Sequence, residues 1–251
     1  MGVSAVPGSG KTHTLSHLAA RLIMEGLIGD DQEVLIVTLV NSAVDNFTGR
    51  IKNILTESRL IPEMGYRVRT LHGLAHDIVR DRPDLVGLSD RFQIIDERES
   101  ENLLKNASAA WLRANPWFIS DYTNPDIDPF NSHKILTDWY SLVVDIAGSI
   151  IRLSKDGRIT PIELRKRVDQ MGVHNPFLEL GCQIYADYQQ GLSYRSAVDF
   201  DDLIRLALDA IQTDSGYHER LQYQWPFILE DEAQDSSQLQ EKILRELAGE
   251  N

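Results

Sequence analysis

The residues Ala5-Val6-Pro7-Gly8-Ser9-Gly10-Lys11-Thr12 follow a short run, Val3-Ser4-Ala5, and precede Leu15, Leu18, Ala19, Leu22 and Ile23, which recur on one face at helical spacing. The order is strand, glycine-rich turn, helix. Small residues at Pro7, Gly8, Ser9 and Gly10 let backbone N–H groups turn inward on phosphate oxygens, and the N-terminus of the following helix adds a favourable partial charge. In such a loop Lys11 reaches the β and γ phosphates and the Thr12 hydroxyl is offered to Mg²⁺. Ala5 stands where the strict pattern has glycine. A surface turn with a chance lysine would show the same residue types; the flanking strand and amphipathic helix are what favour a phosphate loop.

Outward from the loop, Gly26 to Asp31 ends the helix, and Glu33 to Leu39 is a short apolar run suited to a strand buried on both faces. A helix from about Ser42 to Leu60, a strand at Tyr66 to Thr70 and a helix from about Leu74 to Arg80 follow. Alternation of this kind implies an α/β fold with a parallel sheet and helices on both sides. Between about Pro83 and Val198 helical patterns dominate and strand signals stop, with breaks at Asn115-Pro116, Asn124 to Pro129 and Gly157 to Pro161. The α/β rhythm returns with a helix at about Phe200 to Thr213 and a strand at Trp225 to Leu229. The expected architecture is a three-layer P-loop core built from 1–82 and 199–251, with an all-helical domain inserted at 83–198.

The last strand carries the second chemical signal. Phe227-Ile228-Leu229 runs into Glu230-Asp231-Glu232, so carboxylates arrive at a strand's C-terminal end, where ligands sit in open α/β sheets. There Asp231 would hold Mg²⁺ through its water shell and Glu232 would polarise an attacking water. Alone, such acids also suit a solvated turn; paired with the loop at Lys11 they suit a nucleotide site.

Composition narrows the partners. The 25 Lys and Arg against 38 Asp and Glu give a net charge of −13, which argues against a surface that attracts polyanions everywhere. Only residues 41–82 are net positive, with 7 basic and 5 acidic side chains, whereas 199–251 hold 13 acids. No stretch approaches the roughly 18 consecutive apolar residues of a membrane helix, and no secretory signal opens the chain. A single cysteine, Cys182, rules out an internal disulfide, so a cytoplasmic, monomeric, membrane-free protein is expected, with Cys182 structural.

With both anchors in view, Ala5 to Thr12 and Asp231-Glu232-Ala233-Gln234-Asp235-Ser236 resemble the two nucleotide motifs of UvrD/Rep-type helicases of superfamily 1. Val37-Thr38-Leu39-Val40-Asn41-Ser42-Ala43, Arg69-Thr70-Leu71-His72-Gly73-Leu74 and Asp199-Phe200-Asp201-Asp202-Leu203 resemble further family segments in the same order, and Gln240 sits where the family places a glutamine. The resemblance covers 1–82 and 199–251. It implies ATP and Mg²⁺ as ligands, single-stranded DNA as the track, and 3′ to 5′ movement. By the same resemblance Gln234 senses the γ-phosphate, His13 joins the nucleotide-binding positions, and Thr38, Asn41, Thr70 and His72 line the DNA track or couple it to the nucleotide. Each of those four has a plainer reading as strand end, cap or turn residue.

The departures from the family pattern are specific. Stacking phenylalanines are Leu39 and Leu71 here, a lysine is Ser42, and a frequent arginine is His13. Loss of an aromatic platform removes roughly 1–3 kcal/mol of stacking per base, so DNA contact in this half is expected to be weak. Arg50, Arg67, Arg69, Arg80 and Arg82 remain as phosphate contacts or as a solvated face. An adenine-gripping segment upstream and a second core domain downstream are absent, so the chain reads as the ATP-binding part of a longer motor, inactive in unwinding by itself. The rival readings are a non-catalytic module that docks under nucleotide control and a P-loop kinase. The kinase predicts an arginine-rich lid that the residues near the loop do not supply.

Overall fold

The computed structural model describes residues 10–124, 132–172 and 175–249. Val3 to Ser9, which hold the expected first strand and most of the glycine-rich turn, lie outside the described residues, as does most of the break at Asn124 to Pro129. The chain divides into two compact units: one takes in the described residues up to Gly87 and from Leu206 onward, the other Leu88–Arg205.

The first unit holds a parallel sheet. Its described strands are β1 (Val34–Thr38), β2 (Tyr66–Thr70) and β5 (Phe227–Glu230), in the order β2-β1-β5. All five residues of β1 are buried, as expected for a β-branched run covered on both faces. Val34 and Ile36 alternate onto one face and meet Ala19 and Ala20 of α1 (Lys11–Met24) and Phe47, Ile51 and Leu55 of α2 (Asn41–Glu57). Leu35 and Val37 point the other way and are equally enclosed. The α1 face differs slightly from its sequence reading: Ser16, Ala19 and Ala20 are buried, while Leu18 is 41% exposed. Small side chains there let the helix approach the sheet closely, and the larger Leu15, Leu22 and Ile23 flank the contact.

Thr70 ends β2 and caps α3 (Leu71–Asp81), its Oγ1 accepting from the Gly73 N–H at 3.1 Å. That cap starts the helix three residues before the apolar periodicity alone indicates. Two helices escaped the sequence reading. The first is α10 (Ser215–Gln224), capped by Asp214, and the second is α11 (Gln238–Ala248), which opens on a capping box of Ser237 and Gln240. The helix expected at Phe200 to Thr213 is α9, and the boundary between the units falls inside it.

The second unit is built from α4 (Glu97–Ala114), α5 (Pro116–Asp121), α6 (His133–Asp156), α7 (Pro161–Met171) and α8 (Pro176–Tyr194). Strand signals do not stop here altogether. β3 (Gln93–Ile94) pairs in parallel with β4 (Ala197–Val198), a bridge too short to leave a period-2 pattern in the sequence. One core gathers Ala107, Trp111, Phe118, Val143, Ala147, Leu180 and Ile184, and a second gathers Ile95, Ile151, Tyr185, Tyr188, Leu192 and Ala197. Phe118, fully buried, meets Trp111, Trp139 and Phe177 edge to face with centroids 5.1–5.7 Å apart, the arrangement the ring quadrupoles favour. Cys182 is buried and its thiol pushed up by that burial. No helix among the described residues is long and apolar enough to cross a membrane.

Candidate functional site

Register fixes what meets at the C-terminal edge of the parallel sheet. Thr38 and Thr70 are opposed across β1 and β2, and the Asp231 N–H, one residue past β5, donates to the Val37 carbonyl at 2.9 Å. Three strand ends thus deliver Thr38, Thr70 and the acids 230–232 to one rim, the position that binds ligands in open α/β sheets.

Lys11 arrives at the same rim from the start of α1. Gly10, the N-cap, has φ 88°, a left-handed conformation that a β-carbon would strain and glycine adopts freely. The Lys11 Nζ donates to Glu232 Oε2 at 2.9 Å, joining residues 221 apart in sequence. The bond to Glu232 holds the Lys11 ammonium above its ordinary value, and the same bond, with a donation from Gln234 Nε2, holds Glu232 below the usual carboxylate range. Gln234 Nε2 also reaches Asp235 Oδ2 at 3.3 Å. Asp231 behaves oppositely: burial first and the Glu232 charge second push its carboxyl up, against the pull of Lys11. Glu232 sits at φ 61°, ψ 40°, an uncommon conformation for a residue with a side chain, costing roughly 1–2 kcal/mol.

The other sequence candidates separate. Thr12 is half-buried, and its carbonyl accepts from Ser16 Oγ at 2.8 Å. His13 is exposed and faces His17 on the next turn. Pro7, Gly8 and Ser9 lie outside the described residues. Thr38 is buried at the end of β1; Asn41 is the exposed first residue of α2, whose N-cap is Val40, so Asn41 is not the cap. His72 occupies the second position of α3, half-buried. Gln240 serves the α11 capping box, donating its backbone N–H to Ser237 Oγ at 3.4 Å.

Of the two substituted stacking positions, Leu39 is 36% exposed and Leu71 only 2%, so Leu71 belongs to the core. The arginines divide as well. Arg67 pairs with Glu33 at 2.7 Å, Arg69 with Asp77 at 2.8 Å and Arg82 with Asp84 at 2.9 Å, while Arg50 and Arg80 are exposed. Three of the five arginines, read from the sequence as phosphate contacts or as a solvated face, are therefore already paired with acids within the chain.

Sequence reasoning missed a second polar centre, in the helical unit. Lys155 is 1% exposed and its Nζ bonds Asp199 Oδ2 and lies 3.2 Å from Asp202 Oδ2. The Tyr188 hydroxyl donates to Asp199 Oδ2 at 2.6 Å, the Asp202 N–H to Asp199 Oδ1 at 2.8 Å, and Gln189 Nε2 to Asp202 Oδ2 at 3.1 Å. Burial, the largest single influence, would raise the Asp199 carboxyl, but the Lys155 charge together with the hydrogen bonds from Lys155, Tyr188 and the Asp202 N–H holds the group low. The signal was present: two acids three residues apart beside apolar Leu203 and Ile204 need a buried cation, and Lys155 is the one at the end of α6.

The model of the UvrD/REP helicase N-terminal domain matches residues 1–251. The ATP-dependent DNA helicase PcrA of Leuconostoc citreum is 30% identical over 246 residues, covering 98% of this chain and 28% of that protein. The PcrA proteins of Staphylococcus epidermidis and Staphylococcus aureus are each 25% identical over 246 residues, with 29% of their length covered. The chain thus spans under a third of the length of these relatives. With the model matched from end to end, the chain belongs to the UvrD/REP helicase N-terminal domain family.

Proposed function

We propose that this chain is the ATP-binding part of an ATP-dependent DNA helicase or translocase that moves 3′ to 5′ on single-stranded DNA. In this reading the sheet unit is a three-layer P-loop core and the helical unit a domain inserted into it. The observation that carries it is the ion pair of Lys11 with Glu232, which gathers a glycine-capped helix start and a strand-end acid pair on one sheet rim. The donor set fits Mg²⁺-nucleotide. The Thr12 hydroxyl and the Asp231 carboxylate are hard oxygen ligands, and Asp231, raised by burial and by Glu232, is a group that a cation would relieve. Bound there, Mg²⁺ would supply charge neutralisation on the phosphates.

The chain's own residues would do the rest. Lys11 would exchange Glu232 for phosphate oxygens, releasing Glu232 to orient and polarise a water. Gln234, already bonded to Glu232, would hold that water's geometry. The left-handed Glu232 backbone aims the side chain back toward Lys11, a strained placement of the kind concentrated at functional sites. Thr38, Asn41, Thr70 and His72 share the rim and the helix starts beside it, and would contact DNA or relay its presence. Leu39 at the rim and the internally paired Arg67, Arg69 and Arg82 make this contact weak within the chain itself, leaving unwinding to the whole protein.

The test is single-stranded-DNA-stimulated ATP hydrolysis by a longer form extending past Asn251, compared with Lys11→Ala. DNA-dependent hydrolysis lost in the variant supports the motor. ATP binding without DNA stimulation would replace it with a nucleotide-regulated docking module, the reading that the substituted stacking positions favour.

A further inference from the structure

His13 and His17 lie four residues apart on α1, one turn above the other on an exposed face. Their Nε2 atoms are 3.1 Å apart and their ring centroids 4.2 Å, with the planes tilted by 44°. Two nitrogen lone pairs cannot face each other at that distance without repulsion. Either one ring carries its proton on Nε2 and donates it to the other, or both lone pairs are turned on a shared cation.

The spacing suits the second arrangement. Imidazole nitrogen binds transition metals at about 2.0–2.1 Å, and two such bonds closing a 3.1 Å span meet at about 95–102°. That angle lies between the cis positions of a square plane and a tetrahedron, the geometries of Cu²⁺ or Ni²⁺ and of Zn²⁺. We propose that His13 and His17 form a bidentate site for a divalent transition-metal ion of this imidazole-binding class. Among the described residues no group of three or more His, Cys, Asp or Glu completes a cage; water in the remaining positions would let the ion exchange readily. Cu²⁺ should bind best, following the general order of divalent affinities.

On binding, each ring coordinates through Nε2 and keeps its proton on Nδ1. The ring that held an Nε2 proton returns it to solvent while its Nδ1 takes one up, so a neutral pair releases no net proton and no redox change occurs. The site is chemically distinct from the oxygen donors at Thr12 and Asp231, and it does not depend on the function proposed above. Its physical consequence is a covalent-like staple across the first two turns of α1, the helix that begins at Lys11.

The test is titration of metal-free protein with Cu²⁺, followed by electron paramagnetic resonance and by competition with a chromophoric chelator. The wild-type chain is expected to take up one ion bound through two nitrogens. Loss of an outer-shell partner already weakens metal sites by about 10- to 100-fold, so removing one of two ligands should cost at least about tenfold. His17→Ala and His13→Ala should both show this loss, and circular dichroism will verify that α1 persists. Equal affinity in wild type and His17→Ala, a spectrum unchanged in nitrogen count, or no uptake by the wild type overturns the proposal.

Discussion

Replacing Lys155 by Met keeps the side chain's apolar stem and removes its charge, leaving the carboxylates of Asp199 and Asp202 facing one another out of water. Breaking a buried ion pair by removing one partner costs about 3–5 kcal/mol, because an uncompensated charge stays behind. Here Tyr188, Gln189 and the Asp202 N–H still donate to the two carboxylates, and Arg205 Nη2 lies 3.4 Å from Asp202 Oδ1, which places the loss near the lower end, about 3 kcal/mol. For a chain of this size each kcal/mol moves Tm by roughly 2–4 °C, so the transition should fall by roughly 6–12 °C. Trp111, Trp117 and Trp139 all lie in the helical unit, so tryptophan fluorescence during urea or thermal unfolding reports mainly on it. Asp199→Asn in the Lys155→Met background should recover part of the loss, with a coupling of about 0.5–3 kcal/mol. A Lys155→Met variant within about 1 kcal/mol of wild type would refute the reasoning, since a buried, compensated charge cannot be that dispensable.

Acid should act through the same cluster. The folded Asp199 carboxyl is held low, so its stabilising contribution is complete above the unfolded carboxylate range and fades as pH falls through the folded value. The stability gap between wild type and Asp199→Asn should therefore be full at pH 7 and close in strong acid, as measured by urea unfolding across pH. Asp96 accepts from the Glu99 N–H at 2.8 Å to open α4, and Asp96→Ala should cost about 1 kcal/mol of unfolding free energy in chemical denaturation. Arg67 and Arg69 are committed to Glu33 and Asp77, so Arg69→Gln in a longer DNA-binding form should leave the salt dependence of single-stranded DNA affinity unchanged. A phosphate contact at Arg69 would instead lower that slope by about 0.7.

Much of the sheet unit was legible because its signals are local. The run at 34–38 reads as a doubly buried strand from side-chain type alone, and the helix expected at about Phe200 to Thr213 is present with those bounds. The ion pair at Lys11 was foreshadowed by motif pairing, although the two residues are 221 apart. What the residues did not disclose depends on partners far away in sequence. The β3–β4 bridge is two residues long on each side, below any periodic signal. Leu71 looks like a replaced platform in the motif and proves to be core, because the Thr70 cap turns the chain into α3 at that point. Arg67, Arg69 and Arg82 look available until their acids are located, and the segment holding Asp199 and Asp202 does not name its partner, Lys155, which lies 44 residues before Asp199. Charge pairing is a tertiary property, and net charge by segment does not reveal it.

The measurement that bears most directly on the nucleotide site is equilibrium binding of a fluorescent, non-hydrolysable ATP analogue to this chain with and without Mg²⁺, in wild type and Lys11→Ala. Charge-assisted hydrogen bonds contribute about 1.5–3 kcal/mol each, so loss of the Lys11 ammonium should weaken binding by roughly 10- to 150-fold. Mg²⁺-dependent binding that falls by this factor in Lys11→Ala is the predicted result. Binding of equal strength in both proteins, or binding indifferent to Mg²⁺, would contradict a phosphate site built on Lys11, Thr12 and Asp231.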